Sequence, residues 1–119
     1  MTSQGTTYGR FQRAISRRHL FAAEMAAREL GQVNLADALA LTALMADAAP
    51  ARFERAAVRW HGRFELEVKG LNLADSQLAL SALATLAGPG AEIGAETLTR
   101  LGRHYGVGGL EAALKRISP

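Results

Sequence analysis

Three stretches of this chain are written twice, and their spacing limits the fold more than any other feature. Asn34-Leu-Ala-Asp37 recurs as Asn72-Leu-Ala-Asp75, 38 residues later. The text that follows, Ala38-Leu-Ala-Leu-Thr-Ala-Leu44, returns as Gln77-Leu-Ala-Leu-Ser-Ala-Leu83 at an offset of 39. Upstream, the segment from Phe11 to His19 matches the segment from Phe53 to His61 at five of nine positions, at an offset of 42. Pro50 and Pro89 close the two copies. A period near 40 has room for two helices and their turns, the length of one unit in a stack of helical hairpins.

The local signals agree with helices. Val and Ile are few, and no stretch alternates apolar and polar residues for long, so strands are not expected. Apolar residues instead recur at helical spacing. The spacing predicts an all-α fold of five to six helices over residues 10–30, 35–48, 50–69, 73–87, 92–105 and 110–117. Pro50 suits the first position of the third helix, where its missing N–H costs nothing. Gly88, Pro89 and Gly90 form the strongest break in the chain. Asn34 and Asn72 read as N-caps, and Asp37 and Asp75 place negative charge in a first turn, where the helix dipole favours it. The expected organisation is a disordered tail over residues 1–9 and a single domain over 10–119. That domain comprises repeat 1 at about 10–50, repeat 2 at about 51–89 and a closing hairpin at about 91–119.

Charge sorts the predicted helices. Residues 1–33 hold five Arg and two Glu, and residues 51–70 hold five basic and three acidic groups. The helices beginning at Leu35 and Leu73 carry only Asp37, Asp47 and Asp75 between them. They therefore read as a buried inner pair, flanked by amphipathic outer helices. In the helix over residues 50–69, Phe53, Ala57, Trp60, Phe64 and Val68 share an arc of about 80°. Trp60 is the expected anchor of the core.

Enzyme chemistry finds no support. Without cysteine there are no disulfides, thiolate metal sites or thiol nucleophiles. His19, His61 and His104 lie 42 and 43 residues apart, so no local metal-binding pair exists. They read as boundary histidines on helix flanks. No Ser stands in Gly-x-Ser-x-Gly. Glu65 and Glu67 point about 200° apart on a helix and cannot share a proton. The glycines at 106, 108 and 109 read as a helix stop rather than an anion cradle. Neither cofactor nor metal is expected, and no apolar run reaches the roughly 20 residues of a membrane span.

The feature with functional content is arginine. Twelve of the 14 basic residues are Arg, against 11 acids, for a net charge of +3. Such an excess reads first as the codon bias of a GC-rich genome. Its placement says more. Arg52, Arg55, Arg59 and Arg63 fall within an arc of about 80° on one helix. Arg10, Arg13, Arg17 and Arg28 share a side of another, with Phe21 and Leu66 close to the two arcs. Arg pairs in bidentate fashion with carboxylate or phosphate. Seven of these arginines, Arg10, Arg13, Arg17, Arg52, Arg55, Arg59 and Arg63, are the candidate partner-binding residues.

The run from Phe11 to Leu44, with Ala51 to Trp60 after it, resembles short all-α actinobacterial proteins of unassigned function. The resemblance implies a helical fold and an origin, and no activity. The residues themselves lead to a cytoplasmic, non-enzymatic interaction module that binds a partner protein or another copy of itself. The alternative is a nucleic-acid-binding accessory protein whose arginines contact phosphates.

Overall fold

The computed structural model of the chain describes residues 3–115. Among them it contains seven helices: α1 (Ser3–Ser16), α2 (Leu20–Leu30), α3 (Leu35–Ala48), α4 (Pro50–Glu67), α5 (Leu73–Thr85), α6 (Ala91–Tyr105) and α7 (Leu110–Ala113). No strand occurs among the described residues, so the all-α reading holds. The expected count of five to six is exceeded because the helix predicted over residues 10–30 is two helices. By internal packing the chain divides into two compact units, Met1–Asn34 and Leu35–Pro119.

The first unit is the hairpin of α1 and α2. Its turn, Arg17 to His19, carries no Gly, Pro or Asn, so nothing in the text marks it. Arg18 itself takes the left-handed conformation, with φ +60, and is the one non-glycine among the described residues to do so. Two backbone bonds close the turn, from Arg18 N to Ile15 O at 3.0 Å and from His19 N to Ala14 O at 2.9 Å. Folding back lets α1 and α2 bury one stripe each. Thr7, Phe11 and Ala14 supply one, at one-turn spacing, and Ala23 and Ala26 supply the other. Residues 3–9 belong to this helix rather than to a disordered tail. Thr7 is buried one turn before Phe11, and Tyr8 stacks on the Phe11 ring at 6.3 Å. Residues 1 and 2 of the expected tail lie outside the described residues.

In the second unit the helices form a closed cycle. α3 packs on α4, α4 on α5, α5 on α6 and α6 on α7, and α7 returns to α3. The core is Leu39, Trp60, Phe64, Leu83, Leu98, Leu110 and Leu114. Trp60 and Phe64 stack at 5.1 Å, and the indole N–H of Trp60 donates to the Leu35 carbonyl at 2.8 Å. A buried Trp needs such an acceptor, and this one ties α4 to the start of α3. α6 can approach α5 only because Gly94 has no side chain. A Cβ there would lie 1.9 Å from Thr85 Oγ1 and 2.6 Å from the Ala82 carbonyl oxygen. α7 ends at Ala113, before the expected Ile117, which lies beyond the described residues.

The packing does not confirm the expected hairpin repeats. Residues 10–50 cross the divide between the units. Within the second unit, α5 packs on both α4 and α6 rather than closing a hairpin with α4 alone. Phe11 and Phe53 are both buried, yet the matched segments part company further on. Arg17 to His19 is a turn, while Arg59 to His61 is mid-helix. The expected inner pair is also absent. α3 and α5 do not pack on each other, and α5 leaves Leu73, Leu78 and Leu80 exposed. Lack of charge therefore does not mark burial on α5. Its Asn72 acts as the N-cap, with Oδ1 accepting from Asp75 N at 2.7 Å.

Candidate functional site

The orientation of α4 follows from its core face. Phe53, Ala57, Trp60 and Phe64 are buried, with Val68 at the C-cap, which turns the opposite side to solvent. Arg52, Arg55 and Arg59 are exposed there. Arg63 is half-buried, and its Nε donates to Glu67 at 2.7 Å, four residues on. Among the described residues Arg55 and Arg59 have no acidic partner. Glu54 lies off their arc, and Glu65 is engaged elsewhere. Large apolar side chains share this surface: Val58 is 58% exposed and Leu66 is 88% exposed. Single exposed apolar residues are ordinary. Here two stand at helical spacing beside unpaired cations.

The first unit shows the same combination on a smaller scale. Arg10 bonds to Glu29 on α2, and the hydroxyl of Thr7 joins that pair at 3.3 Å. The Arg10 hydrogen bond holds the Glu29 carboxyl below its ordinary value of 4.5 against the opposing effect of burial, with the Arg10 charge and Thr7 adding to the lowering. Arg13 and Arg17 are exposed, without acidic partners among the described residues. On α2, Phe21 is 76% exposed, and Met25, one turn on, is also exposed. Arg28 follows at one more turn.

Of the seven candidate arginines, the fold thus engages Arg10 and Arg63 in ion pairs and leaves Arg13, Arg17, Arg55 and Arg59 without acids. The Arg63–Glu67 pair had a readable signal, the i, i+4 spacing. Glu29 had none, because it faces Arg10 only after the unforeseen turn at Arg18.

One polar cluster escaped sequence reasoning. His61 on α4, Ser76 on α5 and Glu65 on α4 meet where the two helices pack. These are the residue types of a nucleophilic triad, but the hydrogen bonds run in the wrong direction. Ser76 Oγ donates to Glu65 Oε2 at 2.5 Å. His61 Nε2 lies 2.8 Å from the Ser76 carbonyl oxygen, which can only accept, so this nitrogen carries a proton. It cannot also take the Ser76 proton, although Oγ is only 3.1 Å away. A Ser nucleophile needs the free lone pair of a base. The cluster instead clamps α4 to α5 and satisfies the buried Ser76 hydroxyl.

A second clamp joins α5 to α6. The Tyr105 hydroxyl donates to Asp75 Oδ2. That bond, with burial and the Asp75 charge adding to it and an Asn72 backbone bond opposing, raises the Tyr105 hydroxyl above its ordinary value of 10.0. His104 is exposed and meets the Tyr105 ring edge-on at 4.7 Å. Among the described residues no three His, Asp or Glu side chains assemble into a metal-holding group. Nor is any described helix long and apolar enough to cross a membrane. Compared with protein-family models, curated proteins and solved structures, the chain matches none of them.

Proposed function

We propose that the protein is a non-enzymatic interaction module that binds a partner protein, or another copy of itself, through the arginine-bearing faces of its amphipathic helices. The observation that carries this reading is the pairing of unpartnered arginines with exposed apolar side chains: Arg55 and Arg59 with Val58 and Leu66 on α4, and Arg17 and Arg28 with Phe21 and Met25 around α2. Protein interfaces favour Arg, aromatic residues and Met over other surface residues. The clamps at Ser76 and Tyr105 give the polar clusters a structural use, leaving the helix faces as the free chemistry of the surface. A cytoplasmic setting and an actinobacterial origin complete the reading, in keeping with a chain rich in Arg and Ala and without cysteine.

Binding to nucleic-acid phosphates is the second reading, favoured by the four candidate arginines and Arg28, all without acids among the described residues. Affinity purification from the native host, with and without nuclease, separates the two. A partner protein retained after nuclease supports the module. A bound species removed by nuclease, with affinity falling steeply as salt rises, supports phosphate contacts. Arg55→Glu combined with Arg59→Glu should abolish either interaction while leaving the melting temperature within a few degrees of the parent, because exposed side chains away from the core contribute little to stability.

A further inference from the structure

The solvent face of α4 contains a glycine that the fold does not need. Gly62 sits in the middle of an 18-residue helix, where glycine weakens the helix relative to alanine. A Cβ placed on it would meet nothing within 4 Å, so no neighbouring helix requires the missing side chain. Gly94, by contrast, is held to glycine by Thr85 and Ala82. At about 100° per residue, Val58, Gly62, Arg55, Leu66 and Arg59 fall in that order across an arc of about 100° opposite the core. Residues at i, i+3, i+4 and i+7 on one helix enclose a hole that accepts a side chain from another helix. Arg55, Val58, Arg59 and Gly62 enclose one such hole. Arg59, Gly62, Arg63 and Leu66 enclose the next, and Gly62 belongs to both.

We propose that this face docks an acidic amphipathic helix, with aliphatic side chains seated in the two holes that meet at Gly62 and carboxylates paired with Arg55 and Arg59. The inference rests on the interaction reading above and names the chemistry of the partner. Charge complementarity selects acids, because Arg55 and Arg59 are exposed without acidic partners among the described residues. Leu66, between them on the arc, and Val58, beside them, have no use against a phosphate backbone and suit a helix with an apolar stripe. A second copy of this chain is a poor occupant. Its glutamates at 29, 67, 96 and 111 are each already bonded to an arginine of the same chain and Glu65 to Ser76, so among the described residues Glu54 on α4 and Glu92 on α6 stay open and no one helix offers two open glutamates.

The test uses the full chain and a synthetic helical peptide with Leu along one stripe and Glu on both flanks, beside a twin with Lys in place of every Glu. Fluorescence anisotropy should show binding of the Glu peptide and none of the Lys twin. Gly62→Leu fills both holes and should weaken the Glu peptide about tenfold or more, the scale of one lost hot-spot contact, without lowering the melting temperature. Arg55→Glu with Arg59→Glu should move the preference to the Lys twin, which keeps the proposal exposed if Gly62→Leu alters the fold. Equal binding of both peptides, binding of neither, or indifference to both variants overturns it. Concentration-dependent self-association lost in Gly62→Leu also overturns it, by assigning the face to a second copy. Should the peptides fail while a nuclease-resistant partner is still captured from the host, this docking site is wrong and the interaction reading stands. Loss of both removes the two together.

Discussion

The two units bury their helices by different means. Residues 35–115 close a cycle of five helices over an aromatic stack and five fully buried leucines; of the polar groups inside, the Trp60 indole and the Ser76 hydroxyl are bonded across helices and the Thr42 hydroxyl within α3. The hairpin of α1 and α2 has one large buried side chain, Phe11, set against alanines and a threonine, with an ion pair at its rim. Hydrophobic burial scales with apolar area, about 25 cal/mol per Å², so the second unit draws on much the larger reservoir. The hairpin depends more on close approach of small residues and on polar bonds near solvent. Stability in one region should therefore follow packing, and in the other it should respond to pH and to the turn.

The most severe way to probe the packed unit is Trp60→Ala. It removes the largest buried ring, unstacks Phe64 and leaves the Leu35 carbonyl without its donor. Truncations of this kind cost about 3–5 kcal/mol, a large share of the roughly 5–15 kcal/mol a domain holds. Thermal melting followed by circular dichroism should show the variant largely unfolded or strongly destabilised. An unchanged melting temperature would mean that the cycle does not rest on this ring.

Gly94→Ala is expected to cost less, about 1–3 kcal/mol, as overpacking does. The added methyl collides with the Ala82 carbonyl, which is backbone and cannot rotate away. For a domain of this size each kcal/mol moves the melting temperature by about 4–8 °C. Gly62→Ala is the internal control. It meets no neighbour, so the gain in helix propensity should raise the melting temperature slightly. If both substitutions lower it equally, the close approach of α5 and α6 is not what holds Gly94.

What was legible in the sequence follows the same division. The helix starting at Pro50 and the buried stripe of Phe53, Trp60 and Phe64 could be read from spacing and the proline alone, because those signals lie within one helix. The starts at Leu35 and Leu73 followed from the asparagines before them. The turn at Arg18 could not be read, since a left-handed arginine is selected by the burial of Phe11 and the alanines rather than by local preference. The doubling of Asn-Leu-Ala-Asp reflects a shared way of starting a helix and says nothing of what the helix then packs on. That is why α3 leaves few residues exposed while α5 is half exposed. At the candidate site, the arginine arc on α4 and its neighbour Leu66 were legible. The Ser76 clamp was not, because it joins two helices whose angle no local pattern encodes.

The mildest perturbation is pH, and it should act on the two units from opposite ends. Arg10 and Thr7 hold the Glu29 carboxyl below its ordinary value of 4.5, so its contribution is present above that pH. It is lost as pH falls through the lowered value, because the unfolded chain then binds the proton more readily. Tyr105 has the opposite sign. Its hydroxyl is raised above 10.0, so the Tyr105–Asp75 bond contributes fully below that pH and is lost as pH rises through the raised value, when a phenolate would face the Asp75 carboxylate. Both groups lie near solvent, so the effects should be small and should shrink with added salt. Amide hydrogen exchange resolved by residue would place them. Acid should first weaken protection in α1 and α2, and Glu29→Gln should flatten that response. Alkali should first weaken protection where α5 meets α6, and Tyr105→Phe should flatten that one. If acid opens α5 and α6 before the hairpin, the rim pair at Glu29 is not the weak point of the first unit, and its alanine seam holds without it.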